Sequence, residues 1–292
     1  MNGDVLMKDK NKAILFIICS AFCFTLMNAF IRLSGDLPSV QKSFFRNFVA
    51  AVISFIILKK NHIKITCKPE NRLCMFLRAF CGTIGMLCNF YAVDHLVLAD
   101  ASMLNKMSPF FAVVFSAIFL KDKTSPFQIG AVIAAFAGSL FIIKPTFSNM
   151  DLFPSVIGFL GGMGAGAAYT CVRQLGVKGE NGSVIVFVFS VFSCVTTLPY
   201  IIFNFAPMSL YQIGMLLLTG AAAAGGQFSI TAAYTHAPAK EVSVFDYSQI
   251  IFSAILGFFL FGQIPDVLSI VGYVVIISVA AAMFIYNNKK TA

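Results

Sequence analysis

The sequence predicts an all-α integral membrane protein whose ten transmembrane helices form two inverted five-helix repeats. Three observations carry that expectation. The 292-residue chain is 59% apolar and only 11% charged, against roughly 25% charged for soluble domains. A single soluble core could not hide that much apolar surface. The apolar residues fall into ten runs, each near the ~20 residues that cross a bilayer. Finally, the second five runs align with the first five at a fixed offset of 141 residues. A cytosolic enzyme, a nucleic-acid binder and a disordered chain are thereby excluded. Continuous runs, rather than alternating ones, select helices over a barrel.

Residues 1–12 read as a tail carrying Lys8, Lys10 and Lys12. The run that follows is too long for a signal-peptide core and lacks a small-residue cleavage site, so it is expected to be a retained first span. Spans are expected at 13–33, 38–58, 72–93, 99–120 and 125–144, then at 152–172, 183–204, 210–235, 241–262 and 266–286. The punctuation between them is Gly35-Asp36-Leu37-Pro38, Lys68-Pro69-Glu70-Asn71, Lys144-Pro145, Gly179-Glu180-Asn181-Gly182, Ala206-Pro207 and Ile264-Pro265-Asp266. The first repeat is placed at 13–145 and the second at 152–286, with a tail at 287–292.

Basic residues set the orientation. With the N-terminus inside, fifteen of the 21 Lys and Arg fall on inner segments and only Arg32, Lys42 and Lys144 at outer ends. Basic flanks resist translocation, so both termini are expected in the cytoplasm and the membrane is expected to be the plasma (inner) membrane. The net charge of +9 is spread over loops rather than gathered in a patch, which argues against nucleic acid.

The repeat shows where Ala92-Val93-Asp94-His95 and Asp100-Ala101-Ser102 align with Ala233-Tyr234-Thr235-His236 and Glu241-Val242-Ser243. An odd number of spans per copy inverts the second copy, the architecture of secondary transporters, with a solute site near mid-membrane at the repeat interface.

Phe45-Arg46-Asn47, Ala101-Ser102 through Pro109-Phe110, Leu120-Lys121-Asp122 and Ile129-Gly130, with Val242-Ser243, Phe261-Gly262-Gln263 and Val271-Gly272, resemble the drug/metabolite transporter superfamily in its EamA-like form. Three departures stand out. Gln263 occupies a usually acidic position, Ile250 a proline-like break, and no Arg in the seventh span answers Arg46. Phe44-Phe45-Arg46, Leu77-Arg78…Gly82 and Leu98-Ala99-Asp100-Ala101 are similar to the branch of S-adenosylmethionine uptake carriers. The resemblance implies transport of small organic solutes through a central cavity.

Charges inside spans cost roughly 2.5–3.5 kcal/mol each on insertion scales, so each needs a reason. Arg46, Arg78, Lys106 and Asp246 are the four read as interior. Arg46 suits bidentate binding of a carboxylate or phosphate, or else a structural bond to helix-end carbonyls. Lys106 and Asp246 fall at nearly equivalent places in inverted helices, so they form either a structural pair or the two poles of a site for an amphoteric metabolite. Asn105, Tyr247, Gln249 and Asn28 are the neutral candidate binding residues around them. Arg78 is expected to snorkel to the cytoplasmic end.

Eight cysteines show no CxxC spacing, so they read as packing residues, and no metal is expected. No phosphate-cradling loop or Walker motif is present, and no cofactor is expected. Gly158, Gly162 and Gly166 read as a packing ridge. Gly220, Ala224, Gly225 and Gly226 read as a place to flex. The expected function is alternating-access transport of a small amphoteric or anionic metabolite, amino-acid-like or S-adenosylmethionine-like. A cation exporter of the same fold and a membrane-embedded enzyme are the alternatives. The expected partners are that solute and membrane lipid, with the chain a monomer or a homodimer.

Overall fold

The computed structural model describes residues 2–119, 125–143, 151–236 and 243–289. Leu120, Lys121, Asp122, Lys144, Lys240, Glu241 and Val242, which entered the sequence reading, lie outside them.

The first helix, α1 (Asn2–Leu33), runs through the segment read as a tail. No Pro or Gly follows Asp4 to stop it before Leu33. Its apolar part, Lys12–Leu33, is long enough to span a membrane. Next come α2 (Ser39–Lys60) and α3 (Arg72–His95), then α4 (Leu98–Asn105) and α5 (Ser108–Phe119), and α6 (Pro126–Ile143). The second half holds α7 (Leu152–Val177), α8 (Gly182–Phe203) and α9 (Leu210–His236), then α10 (Ser248–Phe261) and α11 (Val267–Lys289). Seven of these helices are long and apolar enough to cross a membrane, with shorter apolar helices at Pro126–Ile142 and Phe245–Phe261. The fourth expected span is divided between α4 and α5.

The fourth span is therefore not the single helix expected at 99–120. Pro109 has no N–H, and its ring excludes the carbonyl four residues back, so the ladder cannot pass Asn105. Lys106 and Met107 turn tightly instead, Met107 N donating to Leu104 O at 3.2 Å. The ninth span breaks at the equivalent place. A 3₁₀ segment, Ser243–Tyr247, gives way to α10 at Ser248, and Tyr247 and Ser248 are the offset partners of Lys106 and Met107. Ile250 stands where Pro109 stands in the first copy, so the second break forms without a proline.

Packing follows the pseudo-two-fold. Helix α1 lies along α9 and α3 along α7, two pairings that the repeat exchanges, while α2 packs on α8 and α6 on α11. Glycines set the closest approaches. A Cβ on Gly85 would meet Ala165 N at 2.8 Å, and one on Gly226 would meet Phe24 Cε1 at 2.7 Å. Both contacts map onto each other by the same offset. The Gly158, Gly162 and Gly166 ridge packs as expected, against Leu104, Ser108 and Phe111 of α4 and α5. Gly220, Gly225 and Gly226 lie inside unbroken α9, closely packed against Val49, Cys23 and Phe24. Their observed role is close approach. Leu15, Phe48, Ile133 and Phe259 point outward, as a lipid-facing surface requires.

Both ends are tied across the repeats. On the face of the α1–α2 turn, Gln41 exchanges two hydrogen bonds with the Ala206 backbone, both 2.9 Å, and Gln212 donates to Ser34 O at 3.1 Å. On the opposite face, Glu180 accepts from Asn71 at 2.6 Å and from Lys68 N at 3.1 Å.

Candidate functional site

A cavity of about 80 Å³ lies between the α1–α9 and α3–α7 pairs. Phe24, Met27 and Asn28 of α1 face Arg78, Gly82, Gly85 and Asn89 of α3. Arg46, Asn105, Lys106, Tyr169, Phe189, Gln227 and Gln249 complete its polar and aromatic wall. At 1.5 Å per residue, Arg46 is roughly 10 Å along α2 from its start, Arg78 roughly 9 Å along α3 from the opposite face. The cavity therefore sits near the middle of the bundle.

Five of the expected residues line it: Asn28, Arg46, Asn105, Lys106 and Gln249. Asp246 and Tyr247 do not; they stand behind Lys106 and hold it. Lys106 Nζ meets Asp246 Oδ2 at 2.5 Å, with the two residues 4% and 5% exposed. The pair is direct, so Asp246 is not a free pole of the cavity. Its second oxygen, Oδ1, is buried with no hydrogen-bond partner among the described residues. Tyr247 donates its hydroxyl to Lys106 O at 3.2 Å. That carbonyl belongs to the turn between α4 and α5, where the helical ladder is interrupted, and the phenol satisfies it.

Arg78 corrects the expectation of snorkelling. It is 3% exposed, because its face of α3 turns inward against α7 and α8, where depth along the helix axis is irrelevant. Its guanidinium carbon stands 4.4 Å from the Phe189 ring centroid, and that of Arg46 stands 5.6 Å from the same ring. Gly82 makes room for this: a Cβ there would collide with Arg78 Nη1 and touch the Phe189 ring at 3.0 Å. Arg46 donates from Nη1 to Asn47 Oδ1 at 2.5 Å. Among the described residues, the Nε atoms of both arginines are buried without an acceptor. Asn89 donates to Asn28 at a long 3.4 Å, leaving Asn89 Oδ1 unpartnered.

Further charges are held away from the cavity. Lys42, read as an outer-mouth residue, is 1% exposed and paired with Asp94 at 2.6 Å; the α2 face that carries it packs on α3. Asp94 also accepts from Ser39 at 3.1 Å. Arg32 closes the C-terminus of α3, donating to Leu96 O at 2.6 Å, where the helix dipole favours a cation. Gln263, at the position the family usually keeps acidic, accepts from Leu98 N at 3.0 Å. A neutral amide oxygen thus caps α4. Asp100, missed among the interior charges, accepts from the buried Tyr273 hydroxyl at 2.7 Å. It stands in the first turn of α4, where an acidic residue also reads as ordinary helix punctuation. Among the described residues no group of three or more His, Cys, Asp or Glu is arranged to hold a metal.

Comparisons with known proteins agree with this architecture. The model of the EamA-like transporter family matches residues 11–144. The chain is 31% identical over 280 residues to a pseudopaline exporter of Pseudomonas aeruginosa, covering 95% of this chain and 96% of that one. It is 22% identical over 260 residues to an S-adenosylmethionine uptake transporter of Rickettsia bellii, covering 88% and 87%. A solved crystal structure superposes with a TM-score of 0.67 at 12% identity, covering 94% of this chain and 98% of the other, which shows a shared fold.

Proposed function

The chain belongs to the EamA-like transporter family, and from that premise we propose that it carries a small amphoteric or anionic organic metabolite across the plasma membrane by alternating access. The observation that carries the solute class is the charge of the cavity wall. Arg46, Arg78 and Lys106 line it, and the carboxylate beside Lys106, Asp246, is already engaged with it. A cationic drug would meet repulsion from that wall, so a cation exporter fits poorly.

Transport without chemistry is the reading for this chain. Its candidate residues are cations, amides and aromatics, which bind and orient, with no Ser–His or paired-carboxylate arrangement among them. The fifteen-to-three bias of basic residues supports cytoplasmic termini. One relative is named for export of pseudopaline and another for uptake of S-adenosylmethionine. Both are small metabolites, and the two names differ in direction, so direction does not follow from the family. Each copy of the chain brings both repeats, so a monomer suffices.

The test is a thermal-shift screen of detergent-purified protein against amino acids, nucleosides, S-adenosylmethionine, organic anions and quaternary cations. A ligand of the folded state raises the midpoint by mass action. Amphoteric or anionic hits that also drive flux in proteoliposomes support the proposal. Hits confined to lipophilic cations overturn it.

A further inference from the structure

We infer that the cavity takes a solute with two acidic groups, one for each of Arg46 and Arg78. The inference rests on the reading of the cavity as the solute site. Lys106 has its counter-ion in Asp246 at 2.5 Å. The two arginines do not: among the described residues no carboxylate stands within ion-pair distance of either guanidinium. Both residues are 3% exposed, and both keep a buried Nε with no acceptor among the described residues. A buried, unpaired cation is costly, and two on one ring add mutual repulsion. Binding an anion to each relieves that cost.

The geometry sets the spacing. Both guanidinium carbons stand over Phe189, at 4.4 and 5.6 Å from its centroid, so they are at most the sum of those distances, 10.0 Å, apart. Two carboxylates on a short flexible spacer reach across any separation up to that bound, and a carboxylate held bidentate by one fork leaves the other fork without an anion of its own. Guanidinium forks match carboxylates in bidentate fashion, and Gly82 leaves the Arg78 fork free to lie along α3. Phe189 gives the spacer an apolar face to rest on, and the Asn89 Oδ1 acceptor offers a place for an ammonium or hydroxyl on the same solute.

The experiment compares glutarate, valerate and γ-aminobutyrate on the full-length purified chain, reading the concentration that half-saturates the thermal shift. Glutarate carries two carboxylates, valerate one, and γ-aminobutyrate one with an ammonium. Glutarate is expected to saturate at a concentration at least about tenfold lower than either, one charge-assisted pair being worth that much or more. Arg46→Gln and Arg78→Gln should each raise the glutarate value about 10- to 100-fold and abolish its preference. Arg78→Lys, which keeps the charge and loses the fork, should fall between wild type and Arg78→Gln, and it guards against a variant that simply fails to fold. Equal half-saturation by glutarate and either monocarboxylate overturns the two-acid inference and leaves the amphoteric-or-anionic proposal standing. If no anionic or amphoteric compound in either experiment shifts the midpoint, the reading of the cavity itself falls, and the inference with it.

Discussion

Lys106 and Tyr247 are equivalent residues of the two repeats, and they are hydrogen-bonded to each other: the Tyr247 phenol donates to the Lys106 carbonyl at 3.2 Å. The pseudo-two-fold axis passes between them. Each marks a break in its crossing, but the chemistry has diverged, one residue supplying an ammonium to the cavity and the other a hydroxyl to the backbone. The molecule is symmetric in its joints and asymmetric in its charges.

Removing that hydroxyl should be felt in stability first. Tyr247→Phe keeps the ring and leaves the Lys106 carbonyl buried without its donor, at a cost of about 1–3 kcal/mol. A lower thermal midpoint in detergent checks this. An unchanged midpoint would mean that the turn between α4 and α5 finds another donor.

The Lys106–Asp246 pair should show strong coupling. Asp246→Asn leaves a buried ammonium, and Lys106→Gln a buried carboxylate; breaking such a pair costs roughly 3–5 kcal/mol. The double variant removes both charges and should be less destabilised than the sum of the singles, a coupling of about 0.5–3 kcal/mol. In flux assays Asp246→Asn and Arg46→Ala are each expected to abolish transport while folded protein remains in the membrane. Wild-type rates in both would mean that neither Arg46 nor the Lys106–Asp246 pair is needed for transport.

Gly82 and Gly85, three positions apart on α3, should behave differently. A methyl at Gly82 strikes the mobile end of Arg78, so Gly82→Ala should displace the guanidinium and lose binding with little loss of stability. At Gly85 the obstruction is the Ala165 and Gly161 backbone; Gly85→Ala should cost about 1–3 kcal/mol by forcing α3 from α7. Midpoints and ligand shifts measured side by side separate the two.

Glu180 ties the α7–α8 turn to the α2–α3 loop, and the Asn71 amide, with Lys68 N and Cys67, holds its carboxyl below the ordinary carboxylate range. A carboxyl depressed by folding stabilises the native state fully above its unfolded pKa of about 4.3 and stops doing so as pH falls through the lower folded value. The wild-type midpoint should therefore exceed that of Glu180→Gln near neutrality and approach it in acid. The side chain is only partly buried and screened by solvent, so the gap should be a few degrees at most. A gap that widens on acidification would reverse the assigned sign.

The run lengths and basic flanks in the sequence sufficed for ten crossings, because hydropathy and charge are properties of segments. Pro109 carries the physical cause of the break in the fourth crossing, but a run length of 99–120 hides it. The matching break at Tyr247 was not legible, since Ile250 carries no such signal. Arg78 was misjudged for a related reason: its distance from the helix end measures depth, while its role depends on which way α3 faces. Gly82, one turn on, is the residue that could have pointed inward, as an arginine needing room beside its own helix. The direct Lys106–Asp246 pair was one of two readings the spacing allowed, and only packing decides between them.

The glycine contacts have a mechanical consequence. They weld α3 to α7 and α1 to α9, and each welded pair takes one helix from each repeat. The cavity opens between the pairs, which meet across it through the long Asn89–Asn28 bond of 3.4 Å. A rocking motion that admits a solute must part these two composite bodies. The lever arms of such a motion are therefore not the two sequence repeats, because each closely packed pair draws one helix from each of them.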